Sequence, residues 1–433
     1  SNACIMAVTP ALLSALVEDS LAPMDETQAP PAADAARPWP LDGIRVVEFC
    51  HMVMGPTCGM ILADLGADVI KVEPPGGDTT RKLVHQGAGF FASYNRNKRS
   101  IVLDIKSPQG LAAARRLALS ADVVIENLRP GALDAAGLGY DDLKAENPGL
   151  VYCALKGFLD GPYAHRKALD EVVQMMGGLA YMTGPEGRPL RAGASVIDIM
   201  GGMFGVIGIQ AALREREHTG VGQEVTAALF ETTVHSVAQH MLQYAVTGTP
   251  AGPMPDRPRA WAVYDTFATA DDERVFVGIV SDTQWKLFCE AFGRADLIAD
   301  ETLATNVLRS QARERIMPML NELFGAMTKA QLMAECERIG LPFAPIAKPH
   351  ELLDDPHLVA TGQLLDVTLP DGRATRVPGL PLEIGGRRTE IRRDLPRIGL
   401  HGREILAEAG FTDTEIAALE ASGALRKPDA STS

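Results

Sequence analysis

The sequence predicts an α/β fold: a Rossmann-like, mostly parallel-sheet large domain together with a small α+β domain. Three observations carry that prediction. Short β-branched runs alternate with segments of helical apolar spacing from Leu41 to about Ala228. A Pro- and Gly-rich break, PAGPMPDRP, then interrupts the chain between Pro250 and Pro258. Beyond it a hairpin-like pair of strands precedes three helical patterns, a different texture from the first half.

Residues 1–39 read as a flexible leader, rich in Ala and Pro after residue 20 and opening on Ser1-Asn2-Ala3, a cloning remnant. The leader has no basic start and carries Glu18 and Asp19, which argues against a secretory signal. Residues 40–230 read as the first part of the large, ligand-binding α/β domain. GIRVVEF has a strand signature, GPTCGMILADLGA has helical spacing and VIKVE is a second strand. Together they make a βαβ unit with the usual right-handed crossover. SIVLDI, a helix SPQGLAAARRLALSA opened by Ser107 and Pro108, and DVVIENL repeat the pattern, and GLVYCALKGF adds a strand. Ligands gather beyond the carboxyl ends of such strands, which points to the segments after Glu48, Glu73, Asp104, Asn127 and Lys156. A long apolar helix follows from Asp198 to about Arg216, and TGVGQEVTAALFET supplies a turn, a strand and a helix start.

Residues 231–344 read as linker and small α+β domain. Its strands lie in AVYDTFATADDERVFVGIV and its helices in TQWKLFCEAF, RERIMPMLNELFGAM and KAQLMAECERIG. Residues 345–433 read as a return to the large domain and a C-terminal tail, with strands in GQLLDVTLPDG and RATRVPGLPLEI and a terminal helix from ILAEAG onward. No internal repeat is present.

Hydrophobic residues make up 46% of the 433 and charged residues 22%, so the chain can bury a large core and is not globally disordered. A net charge of −14 argues against a general nucleic-acid binder, which needs clustered cations, though not against a local basic pocket. The six cysteines form no CxxC pair, which fits reduced thiols in a cytoplasmic protein. No apolar run approaches the roughly 20 residues of a membrane span. HExxH, GxSxG, P-loop and GxGxxG motifs are missing, so neither a metal nor a nucleotide redox cofactor is expected. His235 and His240 sit on an apolar helix pattern and read as packing residues rather than ligands.

The chemistry-bearing candidate is Asp198, an acid at a helix start after the small-residue run RAGASVI. Free backbone N–H groups and the positive end of the helix dipole are expected to keep it ionised, as a carboxylate nucleophile requires. Gly201, Gly202, Gly205 and Gly208 each cost helix propensity, up to ~1 kcal/mol relative to Ala. On spacing alone the competing reading stays open: Asp198 is a plain N-cap and the glycines permit helix packing.

The blocks LDGIRVVEF, GPTCGMILADLGADVIKVEPPGGDTTR, NRNKRSIVLDIKSPQG, ADVVIENLRPGALDAAGLGYDDL, MTGPEGRPLRAGASVIDIMGG and HTGVGQEV resemble the class III CoA-transferase (CaiB–BaiF) family. Within it, KGFLDGPYAHRKALDEVVQMMGGLAYMTG and HMLQYAVTGTPAGPMP are similar to the branch of mesaconyl-CoA C1–C4 transferases and related dicarboxylate enzymes. The resemblance implies an interlocked homodimer that uses acyl-CoA and carboxylic acid substrates, with coenzyme A as substrate and carried group. It implies Asp198 as the nucleophile, forming a mixed anhydride and then an enzyme–CoA thioester. It puts CoA contacts on Leu103, Asp104, Ile105 and Lys106, on Asn127, Leu128 and Arg129, and on Lys167, Ala168, Leu169 and Asp170, with Lys106, Arg129 and Lys167 as phosphate partners. The basic run Asn95-Arg96-Asn97-Lys98-Arg99 is a further expected phosphate neighbour. His51, Val53 and Met54 are expected in the acyl pocket, and Gly177-Gly178 and Gly201-Gly202 as backbone donors to developing oxyanions.

The sequence also departs from relatives. Formyl-CoA transferases carry glutamine at the position of Val53 and a glycine-run lid where this chain reads PAGPMPDRPRAW, which speaks against oxalate and formate. Arginines that relatives use for CoA correspond to Pro74 and Ala135 here. Two other activities compete: an α-methylacyl-CoA racemase, whose histidine would fall at Leu169 with His165 four residues away, and a non-catalytic acyl-CoA-binding relative. A short dicarboxylate such as mesaconate, itaconate or succinate needs a cation for its distal carboxylate, and Arg166, Arg191, Arg257 and Arg259 are candidates.

Overall fold

A computed structural model describes residues 37–256, 260–369 and 371–426. β1 (Arg45–Phe49), β2 (Asp68–Glu73), β3 (Lys98–Val102), β4 (Val123–Glu126), β5 (Val151–Lys156) and β6 (Glu224–Ala228) form one sheet. Their order is β3-β2-β1-β4-β5-β6 and every neighbouring pair is parallel. The order reverses between β1 and β4, and this switch point opens a crevice beyond the strands' carboxyl ends. Helices α1 (Met54–Asp64), α2 (Pro108–Leu119), the short α3 (Asp170–Met176), the 24-residue α4 (Val196–Thr219) and α5 (Leu229–Thr247) accompany the sheet.

Both faces of the sheet are covered, so its strands are apolar on both sides. Val46, Val69, Val123, Ile125 and Val151 point into one layer with Met54, Cys58, Val206 and Ile209 of α1 and α4. Their neighbours Val47, Ile70, Val124 and Tyr152 point into the other, with Ala113 and Leu117 of α2. α4 is long and apolar enough to pass for a membrane span, which run length alone did not anticipate. In this fold its Ile197, Gly201, Gly202, Gly205 and Ile209 are buried.

A second apolar centre gathers Phe267, Trp285, Phe288, Leu320 and Phe324. It lies between the antiparallel sheet of β7 (Val263–Ala268), β8 (Arg274–Ile279) and β9 (Phe343–Pro345) and the helices α6 (Asp282–Ala291), α7 (Arg313–Gly325) and α8 (Lys329–Ile339). Short helices at Ala295–Ala299 and Asn306–Gln311 were not foreseen. β10 (Leu364–Thr368) and β11 (Ala374–Pro378) pair antiparallel, and the expected terminal helix is in fact two, α9 (Gly402–Glu408) and α10 (Asp413–Ser422). Ile405, Leu406, Ile416 and Leu425 join the layer that holds Ile101 and Leu103. Leu425 bridges Leu103, and Asp104 N donates to Ala424 O at 2.9 Å.

The run Asn95–Arg99 corrects one expectation. All five residues are buried, and three of them enter carboxylate pairs within the fold. Lys98 meets Glu48 at 2.9 Å, Arg96 meets Asp64 at 2.6 Å, and Arg99 is shared by Asp68, Glu404 and Glu408. A buried cation is tolerated when paired, and these are spent on packing β3 rather than offered to a phosphate.

Candidate active site

The crevice at the switch point is a cavity of about 290 Å³ lined by Phe49, Cys50 and His51 after β1, by Val72, Glu73, Pro74, Asp78 and Thr79 after β2, by Leu103 and Ile105 after β3, and by Leu128 after β4. Of the residues singled out in the sequence, His51, Leu103, Ile105 and Leu128 thus converge. The Asn127 side chain is engaged by the backbone across the crevice: its Oδ1 accepts from His51 N at 3.0 Å and its Nδ2 donates to His51 O at 2.8 Å. This two-way bridge holds the His51 backbone at the mouth. The next residue, Met52, has a φ of 64°, a left-handed conformation that costs a non-glycine residue roughly 1–2 kcal/mol. Asp104 Oδ1 accepts from Lys106 N at 3.1 Å, and the Lys106 and Arg129 side chains are exposed beside the crevice segments.

Carboxylates lining the crevice are neutralised from within. Glu73 accepts from Arg81 Nε at 2.8 Å and Nη2 at 2.7 Å, and Asp78 meets the fully buried Lys71 at 2.8 Å. Lys71 Nζ also donates to Cys50 O at 2.8 Å, so the same ammonium fixes the wall formed after β1.

Asp198 does not line this cavity. It lies in the first turn of α4, three positions after the N-cap residue Ser195, so it is not itself the N-cap. The cap is supplied from elsewhere: Asp170 Oδ2 accepts from Ile197 N at 2.9 Å and from Asp198 N at 3.3 Å. Its other oxygen accepts from Gln174 Nε2 at 2.7 Å and Arg191 Nη2 at 3.1 Å. Asp170, expected among the CoA contacts, is therefore buried beneath the Asp198 turn with both oxygens engaged. Sequence spacing holds no signal for a carboxylate that caps a helix 28 residues ahead of it.

The expectation of a firmly ionised Asp198 is corrected as well. Burial first, and then the neighbouring Asp170 carboxylate, push its pKa up to about 7, against the pull of Arg191. The helix start does not win, because Asp170 occupies its N–H groups. Tyr94, which sequence reasoning passed over, shares this environment: burial, then Asp198 and Asp170, raise its phenol.

The glycines of α4 serve close packing. A Cβ on Gly201 would come within 2.7 Å of Met54 Cε, and one on Gly202 within 2.7 Å of Met54 O. α4 thus presses on the first turn of α1, one helical turn from Asp198, which brings the nucleophile candidate beside the segment leading out of the crevice. Val53 and Met54 are buried at that junction. Gly177 is likewise closed off, since its N–H donates to Val173 O at 2.8 Å and its missing side chain makes room for Thr233. Gly178, at φ 86°, opens the short helix Leu179–Thr183. Lys167 and Leu169 are exposed past β5, while Ala168 packs on Gly157. Arg166 lies over the Tyr163 ring at 4.1 Å, and Arg257 and Arg259 lie outside the described residues.

Residues 41–402 match the family model described as CoA-transferase family III. A succinate–glutarate CoA-transferase of Agrobacterium fabrum is 36% identical over 384 residues, covering 85% of this chain and 95% of that protein. A formyl-CoA:oxalate CoA-transferase of Rhodopseudomonas palustris is 33% identical, covering 90% of this chain and 98% of that one. The crystal structure of a CAIB/BAIF family protein from Brucella suis superposes with a TM-score of 0.78 at 36% identity, over 86% of this chain and all of that one.

Proposed function

Because the chain belongs to CoA-transferase family III, the CaiB/BaiF family, we propose that it moves CoA between an acyl thioester and a free carboxylic acid through covalent attachment to Asp198. One observation carries the assignment of the nucleophile: a half-buried carboxylate, held by its own backbone at the start of α4, beside the segment that leaves the switch-point crevice.

A carboxylate oxygen of Asp198 attacks the donor thioester carbon, the C–S bond breaks, and CoA leaves as thiolate with a mixed anhydride left behind. The thiolate attacks the aspartyl carbonyl, releasing the donor acid and leaving an aspartyl–CoA thioester. The acceptor carboxylate displaces CoA from that thioester. The thiolate then takes the acceptor acyl group and frees Asp198. No proton is consumed, so the requirement is an ionised Asp198 and exclusion of water from the anhydride.

A short dicarboxylate acyl group is supported by the relative named for succinate and glutarate and by the exposed Arg166 shortly before α3; Arg191 is already engaged by Asp170. Val53 in place of glutamine argues against oxalate. A homodimer is supported by apolar side chains left exposed on α4 and α5, among them Met203, Ile207, Met241, Leu242 and Val246.

The test is CoA exchange across succinate, glutarate, mesaconate, itaconate, oxalate and long-chain acids, read by mass spectrometry, with hydroxylamine trapping during turnover. Asp198→Ala is expected to lose at least about 10³-fold in exchange and the trapped adduct with it. Undiminished exchange refutes the nucleophile, and preference for oxalate or for monocarboxylates refutes the acyl class. A racemase is the second reading, favoured by one feature: an acid near pH 7 suits a proton carrier. Deuterium exchange at the α-carbon without movement of CoA between acids would establish it instead.

A further inference from the structure

The first turn of α1 holds two neighbours that are far apart in the sequence. α4 presses on it, since a Cβ on Gly202 would meet Met54 O at 2.7 Å and Thr57 Cβ at 3.0 Å, and Asp198 lies one helical turn back along α4. The second neighbour is the short helix Phe90–Tyr94, which packs on α1. Buried hydrogen bonds fix the end of that helix. Asn95 Nδ2 donates to Phe91 O at 3.0 Å and Lys98 Nζ donates to Asn95 Oδ1 at 3.2 Å. The same ammonium donates to Pro56 O at 2.9 Å, within the first turn of α1. Tyr94, the residue before Asn95, is half-buried, as is Asp198. Among the described residues neither the Tyr94 hydroxyl nor the Asp198 carboxylate has a hydrogen-bond partner, so each is left for a third group.

Each acyl transfer at the aspartyl carbonyl passes through a tetrahedral oxyanion, which needs a donor. Backbone groups expected in that role are already occupied. Gly177 N donates to Val173 O, the N–H groups of Ile197 and Asp198 serve Asp170, and Gly201 and Gly202 lie inside α4, where their N–H groups serve the helix. Burial, followed by the charges of Asp198 and Asp170, holds the Tyr94 phenol above its ordinary range, so at neutral pH it keeps its proton and acts as a donor.

We propose that Tyr94 is a further catalytic residue, its hydroxyl donating a hydrogen bond to the oxyanion that forms on the aspartyl carbonyl when CoA thiolate or the acceptor carboxylate attacks it. This rests on the covalent Asp198 reading and adds to it the group that stabilises the transition states. No proton moves. The attacking sulfur's electron pair forms the C–S bond, the C=O π pair moves onto oxygen, and its return expels the donor carboxylate. In the anhydride and thioester the aspartyl oxygen is a neutral carbonyl, so the bond from Tyr94 strengthens as attack turns it into an oxyanion. That is differential binding of the transition state, which raises kcat rather than affinity.

The experiment is steady-state CoA exchange by the full-length protein, with the best donor and acceptor of the panel above and hydroxylamine trapping in parallel. Tyr94→Phe removes only the hydroxyl. It is expected to lower kcat about 100-fold, with KM for both substrates within about threefold and an unchanged urea midpoint. 3-Fluorotyrosine in place of Tyr94 keeps a donor and is expected to hold kcat within about threefold of wild type. A Tyr94→Phe protein with wild-type kcat, or one that loses only through KM, overturns the proposal. So does a loss that fluorotyrosine fails to restore, which would mark a packing role. A wild-type protein that exchanges CoA without a trapped Asp198 adduct removes the covalent reading and the proposal with it. A trapped adduct in the wild type together with undiminished turnover by Tyr94→Phe removes the role of Tyr94 alone.

Discussion

Two carboxylates share the first turn of α4, and their repulsion together with burial governs when Asp198 carries charge. With its pKa pushed to about 7, Asp198 is protonated and unreactive in acid, so exchange measured as kcat/KM should climb about tenfold per pH unit below 7 and level off above it. Asp170→Asn removes the neighbouring charge but keeps an oxygen that can accept from Ile197 N. The inflection should then move to lower pH, and a profile that stays put would assign the shift to burial alone. At this scale the sequence was legible for identity and blind to partners. Asp198 stood out by its motif, but Asp170 acts through two hydrogen bonds across 27 and 28 residues that no local pattern encodes. The basic run at Asn95–Arg99 misled for the same reason, because Glu48, Asp64 and Asp68, which neutralise it, are scattered over other elements.

Among the elements, α1 and α4 are locked by glycine contacts that leave no room for a methyl group. A Cβ on Gly202 would lie 2.7 Å from Met54 O and 3.0 Å from Thr57 Cβ, atoms of helix backbone and a branched side chain that cannot swing away. Gly202→Ala should therefore destabilise by roughly 1–3 kcal/mol, despite a helix-propensity gain of up to ~1 kcal/mol. The check is a lowered urea midpoint at unchanged slope. Gly193→Ala, with open space around it, is the control expected to change little. Strands β1 to β5 were legible because β-branched runs are local. Their order was not, since it is decided by which strands share a hydrophobic layer, and the short helices lack enough turns to leave a period.

For the whole molecule, the apolar side chains left exposed on α4 and α5 argue for self-association. Ile207 is 61% exposed and Leu242 63%, on helices whose other faces bury Ile197, Val206 and Ile209, and Leu229 and Val237. Combining Ile207→Asp with Leu242→Asp should halve the mass seen by sedimentation at micromolar protein while leaving the secondary structure intact. A wild-type protein that sediments as a monomer would refute this. A different consequence follows from α9, α10 and the Leu425 bridge closing the layer over β3. Arg99 and Glu408 are 309 residues apart, and at the ribosome's pace of about 5–20 residues per second roughly 15–60 seconds separate their synthesis. Through that interval β3 is an uncovered sheet edge, so the nascent chain needs shielding until its last helices emerge, and any stall in translation late in the message prolongs the risk of aggregation.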